Sequence, residues 1–246
     1  RLIRIAAFQN PDFYKLQATL RSTWNTPRII SRAENHEKFL SLPRGCLSDV
    51  EALLATNKIE LRLDDARSMG QRMHATFNGV LRPDQQEALE AITKHDFGML
   101  IAPTAFGKTV TAAAVIAKRK VSTLVIVHRA DLMRQWQERL GSFVGLDEQK
   151  IGLIGAGKKK PTGMLDIAVI QSLARRDDLP ELFSQYGQVI IDEAHHLTAE
   201  TFEAVLKQAS ARYVLGLSAT PVRSNGHHPI IFMQSGPVRH IAKRPA

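Results

Sequence analysis

Short apolar runs alternate with amphipathic segments between residues 81 and 223. The apolar runs predict strands at Met99–Ile101, Thr123–Val127, Ile151–Ile154, Ile167–Ile170, Val189–Ile191 and Val214–Leu217. The amphipathic segments predict helices at Pro83–Lys94, Lys108–Lys118, Asp131–Leu140 and Thr201–Gln208. Continuous apolar strands separated by helices are typical of a mainly parallel sheet that is covered on both faces. The pattern therefore predicts a three-layer α/β domain, whose ligands bind beyond the carboxyl ends of the strands.

The flanking segments have a different character. Residues 1–80 predict a small accessory α/β module that precedes the domain at 81–223. Its candidate elements are strands at Arg1–Phe8, Pro27–Ser31 and Ile59–Leu63, a helix that begins at Pro11 after the cap Asn10, and a helix at Leu47–Thr56 with Ser48 as its cap. Residues 224–246 lose the alternation and open with the turn signal Ser224-Asn225-Gly226. They predict an exit segment that leads out of the domain.

Charge adds a candidate partner to this picture. The net charge of +9 favours a polyanionic partner, most plausibly nucleic acid, although a generic basic protein is the alternative. The runs Lys118-Arg119-Lys120 and Lys158-Lys159-Lys160 are candidate contacts, and solvated turns are the alternative for each.

Cysteine usage and hydropathy bear on location. Cys46 is the single cysteine, so an internal disulfide is excluded and a reducing, cytoplasmic location is expected. No apolar run approaches the length that spans a membrane, so no membrane partner is expected. Because the chain begins with Arg1 rather than Met, we expect a fragment or a processed chain.

The segment Ala102–Thr109, which reads APTAFGKT, joins a predicted strand to a predicted helix. Successive backbone N–H groups in such a loop, with those at the helix start, attract an anion such as phosphate. Gly107 would allow close approach of the backbone, Lys108 would add a positive charge at the phosphates, and Thr109 would offer a hydroxyl to Mg²⁺. The strict phosphate-loop pattern has Gly where Ala102 stands, and an ordinary strand-to-helix turn is the alternative for this segment alone.

Two carboxylates, Asp192 and Glu193, follow the apolar run Val189–Ile191. Phosphoryl transfer to water needs a metal ion at the phosphates and an oriented water molecule. Asp192 can hold the ion and Glu193 can orient and deprotonate the water, whereas a helix cap is the alternative for an isolated Asp-Glu pair. His195 and His196 do not predict a zinc site, because no Cys/His set supplies spaced ligands.

Two weaker signals accompany these motifs. Ser218 and Thr220 follow another predicted strand, where small hydroxyl residues can bond the carboxylate segment and relay its state. Gln85, at the start of the helix before the phosphate loop, has an amide that can read the donor and acceptor edge of adenine. Alone, the first segment is a common turn and the glutamine an ordinary solvated residue.

Taken together, these residues resemble the motifs of superfamily 2 helicases and translocases. Ala102–Thr109 resembles motif I, Asp192–His195 (DEAH) resembles motif II and Ser218–Thr220 (SAT) resembles motif III. Further resemblances are Leu81–Leu89 to the glutamine motif, Val127–Leu132 with Gln135-Trp136 to motif Ia, and Ala168–Leu173 to the Ic region. The branch is similar to XPB-like helicases and type III restriction subunits, and residues 1–80 resemble helicases of bacterial defence and conflict systems.

The resemblance implies a RecA-like (P-loop NTPase) domain that uses ATP and Mg²⁺. The nucleotide contacts that it implies come from Arg82, Gln85, Thr104, Ala105, Phe106, Gly107, Lys108 and Thr109. It implies Thr109 and Asp192 as magnesium ligands. The implied catalytic residues are Lys108, Asp192, the base Glu193, and His195, which couples hydrolysis to nucleic acid. Arg129 would contact the nucleic-acid backbone, and Ser218 and Thr220 would link hydrolysis to strand movement.

Two departures from the family pattern shape the expected activity. Ala105 stands where the family has Gly. Nothing after Pro221 resembles the second motor domain, which carries the family's arginine finger. We therefore expect the N-terminal, ATP-binding half of a helicase or translocase, acting on DNA rather than RNA, with slow hydrolysis by this half alone. The alternative is a nucleic-acid-binding module that binds ATP without productive turnover.

Overall fold

The computed structural model describes residues 1–193, 198–220 and 228–243. The elements of the N-terminal part are α1 (Leu2–Ile5), β1 (Ala7–Gln9), α2 (Pro11–Ala18), β2 (Ile29–Ser31), β3 (Glu34–Asn35), β4 (Leu40–Ser41) and α3 (Leu47–Thr56). The strands form two antiparallel pairs, β1 with β2 and β3 with β4. Helix α2 begins as predicted, because Asn10 Oδ1 accepts the Asp12 N–H at 3.1 Å.

Three local predictions for this part are wrong. Within Arg1–Phe8, Leu2–Ile5 is helical, and the strand is limited to Ala7–Gln9, which pairs with β2. Within the described residues, Ile59–Leu63 pairs with no strand, and its apolar side chains stay exposed. Ser48 does not cap α3, because the 3-10 turn Arg44–Cys46 leads directly into that helix.

The rest of the chain builds one large sheet and its covering helices. Its elements are α4 (Pro83–Thr93), β5 (Phe97–Ile101), α5 (Lys108–Arg119), β6 (Thr123–Val127), α6 (Ala130–Val144), β7 (Gly152–Gly155), β8 (Lys158–Lys160), β9 (Leu165–Val169), α7 (Ile170–Leu173), α8 (Leu179–Ser184), β10 (Gln188–Ile191), α9 (Ala199–Leu206), β11 (Tyr213–Ser218), α10 (His228–Ser235) and β12 (Val238–Ile241). The strand order is β12-β5-β11-β10-β6-β9-β7-β8. The first seven strands in this order are parallel, and β8 is antiparallel to β7.

Apolar side chains on both faces of the sheet explain why its central strands read as continuous apolar runs. Helices α4, α5 and α6 pack on one face, over strand residues such as Val125 and Leu215. Helices α8, α9 and α10 pack on the other face, over neighbours such as Leu124 and Val214. The predicted three-layer α/β fold is confirmed.

The segment after residue 223 differs from its prediction. Residues 228–241 do not lead out of the domain, since α10 packs on the sheet and β12 pairs in parallel with β5. Residue Ile170, predicted as the end of a strand, instead begins α7. Residues before the predicted boundary also join the sheet domain, because Met73 and Ala75 lie in its core. The division of the chain after residue 80 stays a prediction.

The N-terminal part is attached to the sheet domain by buried polar and close backbone contacts. The Arg44 guanidinium donates to the carbonyls of Leu206, Ala209 and Ala211. A Cβ at Gly45 would lie 2.1 Å from the Phe232 carbonyl oxygen, so this approach requires glycine. Within the described residues, no helix is long and apolar enough to cross a membrane.

Candidate functional site

Three of the sequence motifs meet where β5, β11 and β10 end, because these parallel strands are neighbours in the sheet. The Ala102 N–H donates to the Ser218 carbonyl at 2.9 Å, which joins the start of the phosphate loop to the Ser-Ala-Thr segment. The Asp192 N–H donates to the Ile126 carbonyl at 2.9 Å and so extends the pairing of β10 with β6. The sheet thus brings the predicted phosphate loop and the predicted acidic pair to one edge.

The phosphate loop is a 3-10 turn at Thr104–Phe106, followed by Gly107 in the left-handed conformation with φ +86°. The backbone angle favours glycine here, and a Cβ at Gly107 would lie 2.7 Å from Gln85 Nε2, so the Gln85 amide would have to move. Ala105 does not have a positive φ, so an alanine fits the backbone at the position where the motif that the loop resembles has glycine. Thr104 and Ala105 are exposed, whereas the Phe106 side chain is buried in the core.

Arg82 and Gln85 hold the loop from the start of α4. The Phe106 carbonyl accepts hydrogen bonds from the Arg82 guanidinium and from Gln85 Nε2, both at 2.8 Å. Gln85 Oε1 in turn accepts the Arg82 N–H at 3.0 Å. One amide hydrogen and further acceptor capacity of Gln85 stay available beyond these bonds. Arg82 and Gln85, which are predicted to contact the nucleotide, therefore lie against the loop.

Lys108 and Thr109 begin the 12-residue helix α5, whose first N–H groups and dipole favour an anion. The Lys108 side chain is buried and folds back along the loop. Its ammonium group donates to the Ala102 carbonyl at 3.2 Å and lies 3.0 Å from Glu193 Oε1. The loop therefore places the buried ammonium group of Lys108 next to the predicted catalytic base, Glu193.

Glu193 occupies the left-handed region with φ +49°, which is uncommon for a residue with a side chain. Such a backbone typically costs on the order of 1–3 kcal/mol and is frequent at functional sites. Here it directs the Glu193 carboxylate toward Lys108.

Asp192 is buried, and its Oδ2 accepts the Trp136 indole N–H at 2.7 Å. Burial raises the pKa of Asp192 above its ordinary value, and the hydrogen bond from Trp136 partly opposes this shift. Trp136 lies on α6, 56 residues before Asp192. Sequence reasoning placed Trp136 in a motif but assigned it no role, because the pattern along the chain does not show which side chains meet.

The donor set fits a magnesium ion bound together with phosphates. Mg²⁺ prefers hard oxygen ligands and usually takes one or two from the protein, the rest coming from phosphates and water. Asp192 supplies a buried carboxylate, and Thr109 supplies a hydroxyl at the start of α5. In the described parts of the chain, no group of three or more His, Cys, Asp or Glu side chains forms a metal cluster.

Ser218 is buried, and it closes a local turn. Its hydroxyl donates to the Thr220 carbonyl at 2.7 Å and accepts the Thr220 N–H at 3.3 Å. This turn lies beside the phosphate loop through the Ala102–Ser218 bond. His195 lies outside the described residues.

The predicted nucleic-acid residues divide between two edges of the sheet. Arg129 precedes α6 at the carboxyl edge, is 64% exposed, and pairs with Asp131 at 3.3 Å. The turn between β7 and β8 also lies at this edge, and Lys158 and Lys160 beside it are exposed.

The other basic run, at 118–120, lies at the opposite edge, where α5 ends. Arg119 within it serves the fold, because its guanidinium donates to His95 and Gln188 and lies over the Tyr213 ring.

Sheet, phosphate loop and acidic pair occur together in a chain that belongs to the class of superfamily 2 helicases. The chain belongs to the family described as the type III restriction enzyme res subunit, whose profile matches residues 78–223. It is similar to the DNA 3'-5' translocase XPB2 of Sulfurisphaera tokodaii, with 34% identity over 64% of this chain and 35% of that protein. It is also similar to the putative helicase 109L of Invertebrate iridescent virus 3, with 29% identity over 75% of this chain and 59% of that protein.

The fold is shared with the crystal structure of the UvsW helicase from bacteriophage T4. The TM-score is 0.72 at 16% identity, and the match covers 98% of this chain and 91% of that one. The chain thus spans only part of the length of the curated relatives named above, while its whole fold, including the N-terminal part, has a counterpart in a solved helicase structure.

Proposed function

We propose that this chain is the N-terminal, ATP-binding half of an ATP-dependent helicase or translocase that acts on DNA. The observation that carries this proposal is the pairing of Lys108 with Glu193 beside the buried Asp192. A module that only binds ATP needs a phosphate-binding lysine but no catalytic base. Here the base is held in place by a strained backbone, which favours turnover over binding alone.

The residues at the carboxyl edge would hold ATP and Mg²⁺. Bound ATP supplies the phosphoryl group, and Mg²⁺ neutralises charge on it. Lys108 and the N–H groups of Thr104–Lys108 would hold the phosphates, and Thr109 and Asp192 would hold the ion. Gln85 would bind adenine through the second hydrogen of its amide and the free lone pair of its Oε1, which its bonds to Phe106 and Arg82 do not use.

Glu193 would orient the attacking water and accept its proton. In the structure its carboxylate pairs with Lys108. Engagement of Lys108 with phosphate would release the carboxylate for this task, so the base becomes available only when the nucleotide is in place. Ser218, Thr220 and His195 would couple hydrolysis to movement along nucleic acid.

The carboxyl edge would also contact nucleic acid. Arg129 and Lys158 lie at this edge, and Lys160 lies two residues further along β8. All three are exposed, so they can neutralise backbone phosphates. Lys118 and Lys120 lie at the opposite edge, so one bound strand would not contact both runs. The similarity to a DNA translocase supports DNA as the substrate.

Fast turnover would require an arginine from a second motor domain, as in related enzymes. Within this family, the choice between an XPB-like and a restriction-subunit branch stays a prediction, as do a role in bacterial defence and a cytoplasmic location. The alternative, a module that binds nucleic acid and ATP without turnover, differs in one measurable respect, namely hydrolysis when the second motor domain is supplied.

A binding experiment tests the core of the proposal. Residues 1–246 are titrated with a fluorescent ATP analogue, with Mg²⁺ or with EDTA, and separately with duplex DNA and duplex RNA of equal length. We expect Mg²⁺-dependent nucleotide binding and tighter binding of DNA than of RNA. Failure to bind nucleotide would overturn the function, whereas equal or tighter binding of RNA would overturn only the choice of DNA.

A further inference from the structure

The Trp136–Asp192 hydrogen bond links helix α6 to the end of strand β10. The indole N–H donates to Asp192 Oδ2 at 2.7 Å, and the exposed fractions of the two residues are 2% and 7%. Trp136 also packs in the core on the α6 side of the sheet. The donor is therefore held within the core and is shielded from bulk water.

A tryptophan is an unusual choice for this contact if it served packing alone. The indole N–H is donor-only, so it pairs only with a hydrogen-bond acceptor that lies along its N–H bond. A hydrogen bond to an ionised acceptor is about twice as strong as one between neutral groups. Phenylalanine would fill much of the same volume but would leave the buried carboxylate without this donor.

The carboxylate that Trp136 holds is the one assigned to Mg²⁺. Some residues do not bind the metal but hydrogen-bond to one of its ligands and orient that ligand. Mutation of such a residue typically lowers metal affinity by 10–100-fold. Resting on the proposed function, we propose that Trp136 is a positioning residue that sets the orientation of Asp192 and thereby the affinity for Mg²⁺ in the nucleotide complex. It would act through Asp192, to which its indole N–H donates.

The chain offers a matched control, because it contains two tryptophans. Trp24 is 94% exposed, lies in the N-terminal part, and has no place in the site. Trp24→Phe removes the same chemical group as Trp136→Phe from a solvent-exposed position. It also leaves Trp136 as the single tryptophan, which makes its fluorescence a direct reporter of the contact.

The first experiment measures binding of the fluorescent ATP analogue across a Mg²⁺ titration. For Trp136→Phe we expect the Mg²⁺ concentration at half-effect to rise about tenfold or more, with binding in EDTA unchanged. Trp24→Phe should match the unchanged chain. A folded Trp136→Phe protein with the Mg²⁺ dependence of the unchanged chain would overturn the role. If the unchanged chain did not bind nucleotide, the proposed function would be overturned, and the role of Trp136 with it.

A second measurement keeps the proposal testable if Trp136→Phe does not fold. In the Trp24→Phe protein, addition of Mg²⁺ to the ATP complex should change the emission of Trp136, because its acceptor becomes a metal ligand. Asp192→Asn in the same background should keep an acceptor for the indole and abolish the Mg²⁺-linked change. An emission that does not respond to Mg²⁺, while Mg²⁺ still strengthens nucleotide binding, would overturn the role.

Discussion

Lys108 Nζ lies 3.0 Å from Glu193 Oε1, and both side chains are largely shielded from water. The contact joins the residue assigned to the phosphates with the residue assigned to the attacking water. Removal of one partner of a buried ion pair strongly destabilises the folded protein, because the remaining charge is buried without a compensating partner. Nucleotide binding must therefore exchange one partner of Lys108 for another rather than find a free cation.

Replacement of Lys108 tests the phosphate loop. We expect Lys108→Ala to weaken Mg²⁺–ATP binding about tenfold or more, because a charge-assisted contact of this kind contributes roughly 1.5–3 kcal/mol. Titration with a fluorescent nucleotide measures the change, and circular dichroism checks the fold. Lys118→Ala, an exposed lysine near the other end of the same helix, is the control and should bind like the unchanged chain. Equal affinities of a folded Lys108→Ala and the unchanged chain would contradict the loop assignment.

Turnover should depend on a second motor domain. An arginine finger typically contributes ~10³–10⁵ in rate, so residues 1–246 should bind ATP but hydrolyse it very slowly, with little stimulation by DNA. A chain that includes the second motor domain should show strong stimulation, and Glu193→Gln in it should abolish turnover while nucleotide stays bound. Steady-state phosphate release from both chains provides the measurement. Brisk DNA-stimulated hydrolysis by residues 1–246 would show that the finger is not required.

The salt dependence of DNA binding should distinguish the two basic runs. Each lysine–phosphate contact contributes about one unit to the slope of log affinity against log salt concentration. Lys158→Gln with Lys160→Gln should reduce the slope by about 2, because both side chains are exposed at the carboxyl edge. Lys118→Gln with Lys120→Gln changes the net charge equally and should leave the slope close to that of the unchanged chain. The reverse ranking would place the nucleic acid at the other edge.

Arg44 should stabilise the attachment of the N-terminal part. Its guanidinium donates to three backbone carbonyls, and burial lowers its pKa to about 10. Arg44→Ala would remove a donor that these three carbonyls share, and we expect a loss of about 2–4 kcal/mol in the free energy of unfolding. Chemical denaturation measures this loss. Arg62→Ala, at an exposed position of the same part, should change stability by no more than about 0.5 kcal/mol.

The central sheet could be predicted because its strands are buried on both faces. Such strands are continuous apolar runs, and Thr123–Val127 forms β6 with the predicted bounds. Strands at the edge of the sheet do not show such continuous apolar runs. Strand β12 contains Arg239 and His240 and lies at the border of the sheet, so its sequence resembles that of a linker.

Only those parts of the site that are contained in single sequence segments could be predicted. The Gly-Lys-Thr triplet and the Asp-Glu pair each follow an apolar strand, and parallel pairing places strand ends at one edge. The contacts of Lys108 with Glu193 and of Trp136 with Asp192 join residues 85 and 56 positions apart. Such contacts depend on how helices are rotated and how side chains extend, and local sequence patterns do not encode these properties.

Strand β12 has a consequence for where this chain can be shortened. It pairs with β5, the apolar strand that leads into the phosphate loop, and so covers a backbone edge that would otherwise be open. An uncovered apolar edge strand is a template for pairing with other chains and promotes aggregation. A protein cut after residue 223, where the apolar alternation ends, would keep every residue assigned to ATP yet expose this edge. We therefore expect removal of β12 to lower the solubility of the protein, an effect that is separate from catalysis.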